Sequence, residues 1–434
     1  MSIRNVFPTV RPSLNLNFAR SKTLDPRITF SRTSVGTYLD SDGLIKTAAA
    51  DTPRFDHKYE NGNIVSLGLL IEAGETNSVR NSEDLTAATW NDSVGDGVTV
   101  TTNQAVAPDG NTTADKVAIK TSGSGSKAIQ SSILTGTSSG TVITSSIFCK
   151  AVEHSYVRVQ MEGGGNSGGI VVDLSDGSLI TEFSSPDSYK IEPYPNDWYR
   201  ISATSTTANS TNATALRVHL TDSSGNSTWT GTIGNGVYMW GGQHEIASRA
   251  SSYIPTDDTA AGITRTKEVC YIDGTNFTEF YNPVESTIYV RFDMGGIFST
   301  GGYNRIYEIW ESANTVRYSL LRGGADDTTY DSFSFGSGSD RQQLNYNTVS
   351  IEPDTLFKSI SAFKNDDYQR YAIDVNGVLD SNTDTSVGVG TFSPIQFMLG
   401  SEASSEARQL NGHISELRYY PKRLSNDQLQ NLTK

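Results

Sequence analysis

Apolar residues in this chain recur at every second position, in short runs broken by Gly, Asn, Asp and Ser. Successive side chains of a strand point to opposite faces, so this period buries one face of a sheet and gives a helix no apolar stripe. In ESTIYVRFDM, Ile288, Val290 and Phe292 share one face while Tyr289, Arg291 and Asp293 share the other. In ALRVHL, Leu216, Val218 and Leu220 alternate with Arg217 and His219. In QRYAIDVNGV, Tyr371, Ile373 and Val375 line one face ahead of Asn376-Gly377, a favoured two-residue hairpin connection. VVDLSDGSLI repeats the arrangement with Asp176-Gly177 at its tip. Many short strands with regular turn signals predict sandwiches or barrels. One helix is signalled, at the end, in YYPKRLSNDQLQNLTK. Ser425 and Gln428 have capping-box spacing there, and Leu424 and Leu429 occupy the two staple positions.

With 434 residues, the chain has room for two or three domains. Its composition divides it into an irregular arm over 1–80, punctuated by Pro8, Pro12, Pro26 and Pro53, and a Ser/Thr/Gly-rich β region over 81–256. A linker over 257–272 follows, and then a second β region over 273–434, richer in aromatics and charges. The expected fold is therefore all-β: two β-sandwich (jelly-roll) domains preceded by the arm. The stretch from Leu24 to His57 has β-formers and turn residues but no apolar block able to make a core. Its extended backbone must find hydrogen-bond partners elsewhere, along the first jelly roll or on another chain. Residues 1–20 are the expected attachment arm, with Arg4, Phe7, Arg11 and Phe18 as its candidate contact residues. The alternative is a simple extension draped over its own domain.

Acidic residues outnumber basic ones, 48 to 34, for a formal charge of −14. Neutralising phosphates needs a basic face, so a nucleic-acid partner and docking on an anionic membrane are not expected. The two cysteines, Cys149 and Cys270, fall in different expected domains, which argues against a disulfide framework and a cysteine zinc site. Both read as small buried apolar residues. The opening MSIRNVFPTVRPS has no apolar h-region, so no secretory signal is expected, and no run approaches the roughly 20 apolar residues of a membrane span. Sequons such as the one at Asn111 are chance matches in so Ser/Thr-rich a chain.

None of the five histidines, His57, His154, His219, His244 and His413, sits in a metal-ligand motif, and His219 and His244 read as structural. G-x-S-x-G strings occur at 136–140 and 165–169 and a G-x-G-x-x-G string at 163–168, but none has a helix signal after it, so none reads as a nucleophile elbow or a dinucleotide fingerprint, and there is no P-loop. EGGGNSGG at 162–169 lacks a lysine and a following helix, so it reads as a loop. Glu308 and Glu311 in YEIWES fall on opposite strand faces, which does not suit the facing carboxylates of a glycosidase. Asp326 and Asp327 read as a solvated acidic loop with calcium as the alternative. Neither a cofactor nor catalysis is expected. Sugar binding needs exposed aromatic faces beside hydrogen-bonding groups. Trp229 in a Gly/Ser-rich loop, Tyr194 in a turn, and Tyr330 and Tyr346 in polar surroundings are the candidates. Trp198, Trp240 and Trp310 lie in strands and read as core.

Ordered short motifs over residues 12–90 resemble an N-terminal segment of bacteriophage tail-fibre and head-fibre proteins. They are Asp25-Pro26-Arg27, Phe30 to Arg32, Thr37-Tyr38, Pro53-Arg54-Phe55-Asp56 and Gly68-Leu69-Leu70-Ile71-Glu72. Gly74 to Val79 departs from the family, which has Arg-Thr-Asn and two apolar residues there. SIFCKA at 146–151, DWYRIS at 197–202 and GVYMWGGQHEIASRASSYIPTD at 236–257 resemble the carbohydrate-binding-module-like jelly rolls of phage fibres, and GITRTKE at 262–268 matches the segment after them. VNGV at 375–378 and LNGHISELRYYPKRLSNDQL at 410–429 resemble a concanavalin A/laminin-G-like sandwich. Glucanases of that kind carry a Glu-x-Asp-x-x-Glu strand that this chain lacks. The resemblance implies a homotrimeric virion protein, made in the bacterial cytoplasm and carried on the tail or head; without a secretory signal, release by lysis inside an assembled particle is one route out. It would touch other virion proteins through the arm and bind a host surface glycan without catalysis. A structural head-fibre, capsid-decoration or tail-assembly protein without a glycan ligand is the alternative, and a glycan-degrading depolymerase a third class.

Overall fold

A computed structural model describes residues 7–208, 213–259, 262–295, 304–311, 317–322, 330–334, 344–345, 353–364, 367–373, 379–384, 393–406 and 408–433. The expected all-β class holds: among these residues, antiparallel strands build two sandwiches, and the helices are short. The first sandwich faces a six-stranded sheet against a seven-stranded one. The six-stranded sheet runs Ser188–Tyr194, Trp198–Thr206, Val142–Ala151, Gly236–Glu245, Ala114–Ile119, Val98–Ala105. Opposite it lie Ser178–Phe183, Gly169–Asp173, Tyr156–Gly163, Ala213–Leu220, Lys127–Gln130 and Asn91–Gly95, with Leu134–Thr135 also on Ala213–Leu220. Alternation sends Ile147, Cys149, Ile201 and Met239 inward from one sheet and Val157, Val159, Val172 and Val218 from the other, all buried in one core. The hairpin at Asp176-Gly177 forms, with Gly177 at a φ of 75°, a conformation that costs glycine nothing.

The second sandwich pairs an eight-stranded sheet with a seven-stranded one. Its centre is Glu285–Phe292 between Phe357–Lys364 and Gly412–Tyr420. The facing sheet includes Val269–Asp273, Gln396–Leu399 and Asn304–Trp310. Ile288, Val290 and Phe292 meet Ile306, Tyr307, Phe397 and Leu399 in its core. The terminal helix, Asn426–Thr433, has the expected capping box: the Ser425 N–H donates to Gln428 Oε1 at 3.0 Å and the Gln428 N–H to Ser425 Oγ at 3.4 Å. Leu424 and Leu429 are buried with Ile360 and Tyr420. The Asn376-Gly377 turn and Asp326 and Asp327 lie outside the described residues. Cys149 and Cys270 are free and buried, one in each core, and burial pushes both thiols up.

The arm and the linker differ from expectation. Leu14–Leu16 pairs with Leu417 to Tyr419, and Asn63–Ile71 pairs with the other end of the same strand. Phe55–Glu60 extends that sheet, while Thr29–Ser31 pairs with Val269–Asp273 in the facing one. These stretches of 1–80 and 257–272 are thus components of the second sandwich. The physical reason is the one that made 24–57 unable to fold alone: exposed strand N–H and C=O groups must pair, and the second sandwich offers open edges. The hairpin of Gly36–Leu39 and Ile45–Ala48 reaches the first sandwich, where Leu39 and Ile45 pack with Phe148, Trp198 and Trp240, and Asn77 and Val79 join that sandwich as well, Asn77 donating to Gly242 O at 3.0 Å and Val79 entering its core. Residues 24–57 therefore clasp the two sandwiches together.

Gly68 sits where a bulge in its strand lets the chain cross Gly412–Tyr420 closely. Its φ is 108°, and a Cβ there would lie 2.4 Å from the Ile414 carbonyl oxygen. Gly68→Ala is expected to cost about 1–3 kcal/mol, visible as a fall in melting temperature, because neither the backbone angle nor the partner strand can yield cheaply.

Candidate functional site

The seam between the sandwiches is built around buried charge. Arg32, Arg54, Glu72, Arg265 and Glu268 are all nearly inaccessible to solvent. Glu268 accepts from Arg32 Nη1 at 2.9 Å and from Arg54 Nε and Nη2, each at 2.8 Å. It also accepts from the Glu72 N–H at 2.8 Å. Arg54 Nη2 donates to Glu72 Oε2 at 2.9 Å, and Arg265 Nη2 lies 3.4 Å from the same oxygen. Ser252, on the exit from the first sandwich, donates its N–H and hydroxyl to Glu72 at 3.0 and 2.7 Å. Burial alone would raise Glu72, but Arg265, Arg54 and Arg249 hold it well below the usual carboxylate range. This knot ties three distant pieces of sequence into one rigid base.

Above it opens a cleft of about 480 Å³. Its floor is the strand Phe55–Glu60, and its walls come from Ser188–Tyr194 on the first sandwich and from Asp293 and His413 on the second. Lys190 bridges Glu192 at 2.7 Å and, across the seam, Asp354 at 2.8 Å. Tyr38, Tyr59 and Tyr194 are among the lining residues. Tyr194 packs edge-on against Phe148 with centroids 5.1 Å apart, and burial pushes its phenol up. Arg200 is 5 % exposed, gives one long bond to Ser146 Oγ at 3.3 Å, and leaves Nε without a partner. His57 donates its Nδ1–H to Leu39 O at 2.9 Å, and its buried Nε2 is likewise unpartnered. Buried polar atoms normally have partners, so these two are exceptions within the chain's own hydrogen bonding.

His413 is clamped between two carboxylates, with Nδ1 2.8 Å from Asp293 and Nε2 3.1 Å from Asp56. Burial alone would lower its pKa, but the two carboxylates outweigh burial and raise it to about 10. Near neutral pH the ring is an imidazolium giving both N–H groups away. It has no lone pair to take a proton, so it positions Asp56 and Asp293 and is unsuited to act as a general base.

Of the aromatics chosen from sequence, Tyr194 lines this cleft. Trp229 lies elsewhere, half-buried on the first sandwich: its indole N–H donates to Leu220 O at 3.1 Å and one ring face stacks on His154 at 5.3 Å. Tyr330 starts the strand Tyr330–Ser334, while its side chain and all of Tyr346 lie outside the described residues. In the expected arm, Arg4 is outside them too, Phe7 is 57 % exposed and Arg11 is exposed. Phe18 is different, being buried beside Leu14, Leu16 and Leu69, so the second core holds it and it is unavailable for attachment. Trp198 and Trp240 fill a core as expected. Glu308 is buried and bound to Arg305 at 2.9 Å. His244 is fully enclosed, bonded to Ser145 and Thr214, and burial lowers it to about 3, which keeps it neutral.

Sequence reasoning missed Asp56, Arg200 and His413 as a group. Asp56 stood inside a fibre-like motif, but no spacing connects it to His413, which is brought alongside by strand pairing.

No family model and no curated protein matches the sequence. Among solved structures the chain is similar to a CBM40 of the Ruminococcus gnavus IT-sialidase, at 17 % identity and a TM-score of 0.29, covering 35 % of this chain and 84 % of that one. The tandem CBM22 domains of Paenibacillus barcinonensis Xyn10C give 9 % identity and a TM-score of 0.24 over 80 % of this chain and 98 % of that one. The Trypanosoma rangeli sialidase in complex with sialic acid gives 9 % and 0.28 over 74 % and 60 %. The strand pairings by themselves make the chain a pair of antiparallel β-sandwiches joined along a charged seam.

Proposed function

We propose that the protein binds glycan in the cleft between its sandwiches, without catalysis, as part of a bacteriophage tail fibre that attaches to the host surface. The observation carrying this reading is the cleft itself, where Tyr38, Tyr59 and Tyr194 stand beside the carboxylates of Asp56, Glu60 and Glu192 and the ammonium of Lys190. Sugars are held by stacking on aromatic faces and by hydrogen bonds to fixed donors and acceptors. The clamped imidazolium of His413 supports binding over turnover. The fibre reading draws support from the motif residues Arg32, Arg54, Glu72 and Glu268, which meet in one knot as parts of a single folded unit. On a trimeric fibre, three such clefts would add avidity to weak sites.

The test is binding of the full chain to arrayed bacterial surface polysaccharides. Tyr59→Ala is expected to weaken the recognised glycan about tenfold, near 1.4 kcal/mol. Unchanged binding in that variant would remove the cleft from the reading, and release of reducing sugar would replace it with an enzyme. Labelling the protein on assembled particles separates a tail fibre from a head fibre or a purely structural component.

A further inference from the structure

The charges lining the cleft between the sandwiches fall into small sets, and each set is closed on itself. Lys190 and Glu192 stand two residues apart on Ser188–Tyr194, so they share a strand face. Lys190 reaches Glu192 at 2.7 Å and, across the seam, Asp354 at 2.8 Å. One ammonium between two carboxylates leaves that set with a net charge of minus one. The same arrangement recurs on the second sandwich, where the His413 imidazolium lies between Asp293 at 2.8 Å and Asp56 at 3.1 Å. On the floor strand Lys58 and Glu60 pair one to one at 2.8 Å. Arg249 lies 3.8 Å from Glu72. The remaining cation among the described lining residues, Arg200, is 5 % exposed and favours the charged form of the buried Glu245.

These groups are open to a ligand entering the cleft. The side chain of Lys190 is 45 % exposed, that of Asp354 46 % and that of Glu192 27 %. A carboxylate oxygen keeps lone-pair capacity beyond the bond a cation takes, and it accepts an O–H in a short, charge-assisted bond. A sugar hydroxyl can therefore be added to either set without breaking an ion pair. An acidic sugar cannot. To reach Lys190 its carboxylate would have to displace Glu192 or Asp354, and it would enter beside two sets that are already negative, in a chain of net charge −14. Like charges in a partly desolvated cleft repel more strongly than they do in water, so the misfit acts as rejection.

We propose that the cleft selects sugars without an acidic group, with Glu192, Asp354, Asp56 and Asp293 accepting hydroxyl hydrogens and their two surplus charges turning uronates and other anionic sugars away. This selectivity rests on the cleft being the glycan site, as proposed above.

The test presents the full chain with arrayed bacterial surface polysaccharides, each acidic one printed both in its native form and after reduction of its carboxyl groups to primary alcohols. Polymers bound by the wild type and lost in Tyr59→Ala are the cleft ligands. They are expected to be uncharged, and any reduced polymer among them should bind at least about tenfold more tightly than its acidic parent at low salt. Raising the salt should narrow that gap, because screening weakens the repulsion. The double variant Glu192→Gln, Asp354→Asn leaves Lys190 unpaired and should close the gap by strengthening binding of the acidic parents. Should that variant fail to fold, the wild-type comparison of native and reduced polymers still decides. A Tyr59-dependent ligand that is acidic, or a folded double variant with the gap unchanged, overturns the selectivity and leaves the cleft as the glycan site. The absence of any Tyr59-dependent ligand removes the cleft reading and the selectivity with it.

Discussion

Glu268→Gln is expected to lower the unfolding free energy by about 3–5 kcal/mol. The substitution keeps the shape of the side chain and removes one charge. Glu268 is wholly buried and accepts from Arg32, Arg54 and the Glu72 N–H. Its loss leaves the guanidinium groups of Arg32, Arg54 and Arg265 sharing Glu72, in a place where water cannot compensate them. The new amide N–H₂ would also point at an arginine. Glu60→Gln is the comparison: the Lys58–Glu60 pair at 2.8 Å is largely exposed, so its loss should change stability by no more than about 0.5 kcal/mol. Urea unfolding followed by circular dichroism measures both. A drop under about 1 kcal/mol for Glu268→Gln would show that the knot is not the unit joining the sandwiches.

Stability should also fall as the solution becomes alkaline. His413 is raised to about 10 in the fold from an ordinary value near 6.5. A group raised on folding contributes fully below its unfolded pKa and loses that contribution as pH climbs through its folded pKa. The window is therefore pH 6.5 to 10, and the slope approaches roughly 1.4 kcal/mol per pH unit, a few kcal/mol in all. Glu75, raised to about 7 by burial and by Glu245, acts in the same direction from pH 4.5 upward, so the assignment needs a variant. His413→Gln should flatten the alkaline slope while leaving the acid limb intact. The acid limb has its own source in His244, lowered to about 3, which takes a proton when unfolded below pH 6.5 but not when folded. An unchanged slope in His413→Gln would mean that Asp56 and Asp293 do not hold the imidazolium.

The composition of the site was only partly legible beforehand. Tyr194 could be picked out because it sits beside a turn, where alternation does not bury it. Trp229 looked equally free by that rule, but His154 and the carbonyl of Leu220 take up its ring face and its N–H. Phe18 read as part of an arm because nothing near it in sequence makes a core; its core is supplied by strands some four hundred residues away, Leu14 facing Tyr419. The motif residues Arg32, Arg54, Glu72, Arg265 and Glu268 were visible as landmarks, yet their meeting was not, since charge along a chain does not say which carboxylate an arginine will reach.

Alternation, turn residues and the final capping box were enough to determine an all-β chain, the inward faces of its strands and its one terminal helix. These are local properties, set by whether a side chain points up or down and by which backbone angles a residue tolerates. Which strands became neighbours was decided only in three dimensions. A strand edge offers the same N–H and C=O groups to every partner, so pairing follows from how whole faces bury one another. That pairing put Asp56 beside His413, turned the arm and the linker into sheet, and opened the cleft between them.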